Sequence, residues 1–163
     1  MSADAPRSEI RMINVGDKPI TVRTARASGQ LLASADTIAK IHAGKLAKGD
    51  PLATARVAGI MAAKRTSEIV PLCHPLPLDA INVSFRFDTP GAVAIEAEVQ
   101  ATARTGVEME ALVAVTAAGL CLYDMAKSID PSMSLTNVQL EEKRGGVHGD
   151  YLRSSTTASA AAS

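Results

Sequence analysis

Two runs of strict alternation, joined by three turn residues, constrain this chain more than any other feature. Ile81, Val83, Phe85 and Phe87 alternate with Asn82, Ser84, Arg86 and Asp88. After Thr89-Pro90-Gly91, Val93, Ile95, Ala97, Val99 and Ala101 alternate with residues that include Glu96, Glu98 and Gln100. A period of two puts each apolar set on one face of an extended strand, and the proline-glycine turn sends the chain back beside itself. The sequence therefore predicts an antiparallel hairpin with one buried face, and the remaining segments must supply the cover.

Ile20 to Leu32 (ITVRTARASGQLL) reads as a first strand, with Gly29 expected at a bulge or bend. Ser34 can cap a short helix that carries Ile38 and Ile41 and stops at Gly44. Asp50-Pro51 opens a second helix, expected to run to about Thr66: a carboxylate accepts from free N–H groups at a helix start, and proline fits the first helical position. The proline-bearing stretch 70–77 is a loop without regular period, 107–129 is a long helix ended by Asp130-Pro131, and 135–143 suits a last strand. The order is β-α-α-β-β-α-β. With the second helix as an insertion, this is the split β-α-β order of an α+β, ferredoxin-like sandwich: an antiparallel sheet with helices on one face.

The 163 residues fit one domain able to bury a core without staples, and aromatics at 2% leave small aliphatic side chains to fill it. Seventeen basic residues balance seventeen acidic ones, so no whole-molecule field draws the chain to nucleic acid or an anionic membrane. Any anion site must be local. Two cysteines cannot make a disulfide framework and the N-terminus lacks the pattern of a secretion signal, which points to the cytoplasm. The apolar run Ala111 to Tyr123 is too short to cross a bilayer. The organisation expected is a flexible N-terminus over 1–12, a single catalytic domain over 13–153, and a disordered Ala/Ser tail over 154–163.

At about 100° per residue, Asp124 shares a helical stripe with Glu110, Val113, Ala117, Leu120 and Cys121. Two carboxylates on an apolar stripe, on a helix expected to be buried on several sides, call for partners or a pocket. Lys127 lies one turn beyond Asp124. The pair reads either as an acid-base couple or as an ordinary i, i+3 salt bridge near a helix end. Pro71-Leu72-Cys73-His74-Pro75-Leu76 puts a thiol and an imidazole in an extended segment that can line a pocket, against the plainer reading of a small core cysteine and a surface histidine. A structural metal is not expected, because His42, Cys121 and His148 lack paired ligand spacings. Phosphate handling would unite the scattered bases Arg23, Arg26, Lys48, Lys64, Lys127 and Lys143 with the Gly145-Gly146 loop, although no Walker loop is present.

Lys48-Gly49-Asp50, ATARVAGIMAAKRT, PLCHPL, TGVEMEAL, LYDMAKSID, KRGG and Gly149-Asp150 together resemble the cyclic pyranopterin monophosphate synthase family over about residues 13–151. The resemblance implies a lyase of the phosphorus-oxygen class, without a redox cofactor, in molybdenum-cofactor biosynthesis. Its substrate would be the cyclised GTP-derived triphosphate made by a radical-SAM cyclase, and its products cyclic pyranopterin monophosphate and pyrophosphate. Carried over by motif, Asp124, Lys127 and Lys48 are catalytic, and Leu72, Cys73, His74, Met109, Glu110, Glu108, Arg23 and Lys143 bind substrate. The resemblance also implies a homohexamer, a trimer of dimers, with sites between subunits that combine Asp124 and Lys127 of one chain with bases such as Arg23 or Lys48 of its neighbour. Val147-His148 departs from the family pattern after the double glycine, so a phosphate contact there is absent or moved to His148. The rival reading is a non-catalytic ferredoxin-like module for nucleotide binding or regulation. An RNA-binding sheet is disfavoured because Phe85 and Phe87 share parity with Ile81 and Val83 and so face the core.

Overall fold

The computed structural model describes residues 9–147 and 149–154. Its elements are β1 (Thr21–Leu32), α1 (Ala35–His42), α2 (Pro51–Ala63), α3 (Thr66–Ile69), β2 (Ala80–Thr89), β3 (Ala92–Ala103), α4 (Glu108–Ala126), β4 (Ser134–Arg144) and β5 (Tyr151–Leu152). Every strand pair is antiparallel and the sheet order is β2-β3-β1-β4-β5. The first four strands thus carry the ferredoxin-like arrangement, with β1 and β3 central. The predicted hairpin is β2–β3, and its alternation is the register: Val83 opposite Ala97, Phe85 opposite Ile95. The expected termini 1–8, His148 and 155–163 lie outside the described residues.

The core lies between the sheet and α4, built from small side chains that let backbones approach closely. Ala25, Ala27 and Leu31 of β1 are buried beside Val99, Ala97 and Val93 of β3, and Ala111, Ala114, Ala118 and Leu122 of α4 pack on them. A Cβ on Gly29 would sit 2.7 Å from Val115 Cγ1, and one on Gly119 would sit 2.5 Å from a Leu135 methyl. Gly29 is therefore an approach point for α4. The β1–β4 register does shift beside it, but the extra residues belong to β4, where Asn137 takes a left-handed φ of 53°.

Ser34 caps α1 by accepting from Thr37 N, and Asp50 caps α2 by accepting from Leu52 N and Ala53 N. The second helix ends at Ala63, short of Thr66. The Thr66 hydroxyl donates to the Ala63 carbonyl at 2.9 Å, and the chain restarts there as the one-turn α3. α4 likewise ends at Ala126, before the predicted Ile129. Its 19 residues are, by length and composition, apolar enough to cross a membrane, which corrects the shorter apolar run read from sequence; half of that stretch is buried against the fold, as in a core helix. β5 carries no signal in the sequence, because two residues cannot display a period.

Candidate active site

α4 carries a cluster of polar groups at each end. At its C-terminal end, Asp124 Oδ2 accepts from Lys48 Nζ at 2.7 Å and Oδ1 faces Lys127 Nζ at 2.8 Å. Lys48 also donates to the Asp124 carbonyl at 2.9 Å. Lys127 arrives by helical spacing, whereas Lys48 comes from the loop before α2. There buried Leu46 pairs with Gly49, whose φ of 102° admits only glycine without strain. Asp124 is not buried: the stripe predicted from periodicity runs from buried Glu110 through half-buried Val113 and Ala117 to exposed Leu120 and Asp124. Its carboxyl pKa is lowered to about 2 by hydrogen bonds from Lys127 and Lys48, and Asp124 in turn raises that of Lys127. The trio is a fixed carboxylate between two ammonium donors, able to hold an anion and to deliver a proton from nitrogen.

At the N-terminal end, Leu72, Cys73 and His74 from the loop before β2 meet Glu108, Met109 and Glu110 from the first turn of α4 around a cavity of about 430 Å³. His74 Nε2 donates to the Ile13 carbonyl at 2.9 Å, which assigns the ring proton to that nitrogen. Glu110 is only 4% exposed and has no cation within ion-pairing distance among the described residues, so burial raises its pKa. Burial also raises the Cys73 thiol, with Glu110 and Glu108 adding to it, so Cys73 is a neutral wall rather than a thiolate.

A smaller cavity of about 110 Å³ adjoins this one through Thr105, Gly106 and Glu108, and is basic: Lys18, Arg23, Arg104, Lys143 and Arg144 line it. Lys143 Nζ stands 3.5 Å from Glu108. Arg23 is 7% exposed and spends its guanidinium on main-chain carbonyls, those of Ala103, Arg104 and Gly145, at 3.3–3.4 Å. A Cβ on Gly146 would fall within 1.8 Å of that guanidinium, so the second glycine makes room for Arg23. Two bases named with the phosphate group lie elsewhere. Arg26 is paired with Glu96 and Glu142 on the helix-free face of the sheet, and Lys64 caps the end of α2. Arg104 and Lys18 were missed; the only hint was that Arg104-Thr105 leads directly into the TGVEMEA segment.

Glu110 and Asp124 are fourteen residues apart on one straight helix, a rise of about 21 Å. One chain therefore gathers Lys48, Asp124 and Lys127 at one end and the remaining eight candidates at the other. The expectation that Lys48 joins Asp124 from a neighbouring chain is corrected, because both belong to the same cluster of one chain.

Burial gives Glu110 a testable signature. Its raised pKa means that the folded chain keeps this proton to higher pH than the unfolded chain does. The associated stability is full below the ordinary carboxyl range and declines as pH rises through the raised value. Glu110→Gln is expected to melt higher than the parent at pH 8, with the gap closing toward pH 4. Parallel melting curves across that range would contradict a buried, unpaired Glu110.

The α+β fold thus sets a cavity with a buried carboxyl beside a basic cavity at one end of α4, and gathers Lys48 and Lys127 around Asp124 at the other. The chain belongs to the MoaC family, whose model matches residues 12–146. It is 51% identical over 143 residues to cyclic pyranopterin monophosphate synthase 3 of Mycobacterium tuberculosis, covering 88% of this chain and 81% of that protein. It is 48% identical over 143 residues to the cyclic pyranopterin monophosphate synthase of Desulfitobacterium hafniense, covering 88% of each. With the Brevibacillus brevis protein of the same name the identity is 46% over 147 residues, covering 90% and 92%.

Proposed function

We propose that this chain is a cyclic pyranopterin monophosphate synthase: a lyase of molybdenum-cofactor biosynthesis that takes a cyclised GTP derivative and releases pyrophosphate as it forms the cyclic pyranopterin monophosphate. The observation that carries this reading is the gathering of the family's motif residues into two chemically distinct clusters at the two ends of α4, in a chain about half identical to proteins of that name. In this reading the larger cavity takes the heterocycle. Glu110 meets its ring N–H groups, while Leu72, Cys73 and Met109 give apolar contact. Lys143 and His74 stabilise the charge that grows on the departing pyrophosphate. Lys127 is the proton donor, Asp124 holds it in place and exchanges protons with the substrate, and Lys48 neutralises phosphate or completes the relay. Arg23 acts by fixing the carbonyls around the basic cavity. A regulatory module is not favoured.

The functional unit is two copies of the chain. In support of this, the two clusters are too far apart for one small substrate, and the outer surfaces of α2 and α4 leave Val57, Met61 and Leu120 exposed. A second copy seated there would bring the C-terminal end of one α4 toward the N-terminal end of the other, as a two-fold contact does. A homohexamer built as a trimer of dimers, action after a radical-SAM cyclase, a cytoplasmic location and independence of a redox cofactor complete the proposal. The test is incubation with the cyclase product. A pterin phosphate and pyrophosphate in equal amounts are expected by mass detection, and binding without turnover would favour the regulatory module.

A further inference from the structure

The segment before β1 crosses both cavities, and none of the roles assigned above uses it. Arg11 and Ile13 line the larger cavity and Lys18 lines the basic one. Between them the chain folds into a compact turn: Gly16 N donates to Asn14 Oδ1 at 2.8 Å and Lys18 N to the Val15 carbonyl at 3.1 Å. Few bonds fasten this turn to the domain. Arg104 Nη1 donates to the carbonyls of Gly16 and Lys18 at 2.5 and 2.6 Å, and His74 Nε2 donates to that of Ile13. The apolar side chains of the segment do not anchor it, since Ile13 is 70% exposed and Met12 50%. Neither Arg11 nor Lys18 has an acidic partner within ion-pairing distance among the described residues, although both stand beside cavities that hold Glu108.

From this geometry we infer that residues 11–18 are a strap that closes over the substrate, carrying Arg11 and Lys18 as further phosphate-binding residues, and that Arg104 is the positioning residue that seats it. The inference rests on the reading of the two cavities as the substrate site. The chemistry agrees with it: a triphosphate brings several negative charges, and two unpaired cations on a weakly fastened segment gain their partners only when it arrives. Arg104 suits the seating role because one guanidinium nitrogen reaches the carbonyls of both Gly16 and Lys18, ahead of β1, while its own carbonyl is held by buried Arg23. The strap is thus tied through Arg104 to the centre of the sheet. Ile13, bonded to His74, lies over the cavity that takes the heterocycle, so the same closure orients the imidazole and excludes water.

Two measurements on the full-length protein test this. In hydrogen exchange read by mass spectrometry, inorganic pyrophosphate is expected to slow exchange across residues 11–18 of the parent. Arg104→Met should speed exchange there without ligand and abolish the protection. In kinetics, Arg11→Ala and Lys18→Ala are each expected to raise KM about tenfold with kcat within about twofold, the mark of lost binding rather than lost chemistry. Arg104→Met should raise KM as well, and added pyrophosphate should not restore the parent exchange pattern. Unchanged KM in both lysine and arginine variants, or parent-like exchange in Arg104→Met, would overturn the strap. A parent protein that makes no pterin phosphate would instead defeat the reaction assigned above, and the exchange measurement would still decide whether the strap closes on a phosphate ligand.

Discussion

Asp124→Asn is expected to lower the rate of product formation by about 10²–10⁴-fold, the range a single acid-base group supplies, with little change in thermal midpoint or in pyrophosphate affinity. The carboxylate lies between Lys48 at 2.7 Å and Lys127 at 2.8 Å, and the two hold its pKa at about 2. An amide keeps the shape, loses the charge, and can no longer accept a proton or fix both ammonium groups. Asp124 is more than half exposed, so little folding stability depends on it. What the two lysines do contribute follows the sign of the shift: a lowered carboxyl pKa stabilises the fold above the ordinary carboxylate range, and that contribution disappears as pH falls through about 2. Asp124 is therefore ionised throughout the neutral range, and no titration of kcat/KM between pH 5 and 9 should trace to it. Product formation at the parent rate by a folded Asp124→Asn protein would remove the residue from the mechanism.

The second large effect is recovery of activity on mixing. If each site uses the C-terminal cluster of one chain and the N-terminal cluster of its partner, Asp124→Asn and His74→Ala damage opposite halves. A mixed dimer then holds one doubly damaged site and one intact site. Equal amounts, exchanged to equilibrium, should regain about a quarter of the parent activity, because half of the pairs are mixed and each carries one working site of two. Asp124→Asn mixed with Lys48→Ala should regain nothing, because those residues meet within a single chain. The contrast between the two mixtures is the decisive reading. Equal recovery in both, or none in either after exchange is verified by mass, would exclude a site divided between the ends of α4.

Elements whose cause is local were legible in the sequence. The β2–β3 alternation and the Ser34 and Asp50 caps each act within a few residues, so pattern and structure agree on them. Helix ends were less so. α2 stops at Ala63 because Thr66 reaches back to its carbonyl, a contact that propensity does not foresee. Gly29 looked like a bulge because glycine in a strand has two common reasons, and only the position of Val115 selects close helix approach over a bulge in its own strand.

The candidate site divides in the same way. Motif words named its residues, and helical spacing alone joined Asp124 to Lys127. Periodicity fixes which side chains share a stripe, but it carries no information about what packs along that stripe. Hence Glu110 is buried at one end and Asp124 exposed at the other, where the sequence read both as covered. Only the tertiary structure brings Lys48 to Asp124 across 76 positions, turns Arg23 inward to three carbonyls, and draws Arg104 and the segment 11–18 over the cavities. Those contacts depend on how the loop before α2, the sheet and the N-terminal segment dock. Docking is decided by the shape of a small-residue core, which one-dimensional spacing cannot express.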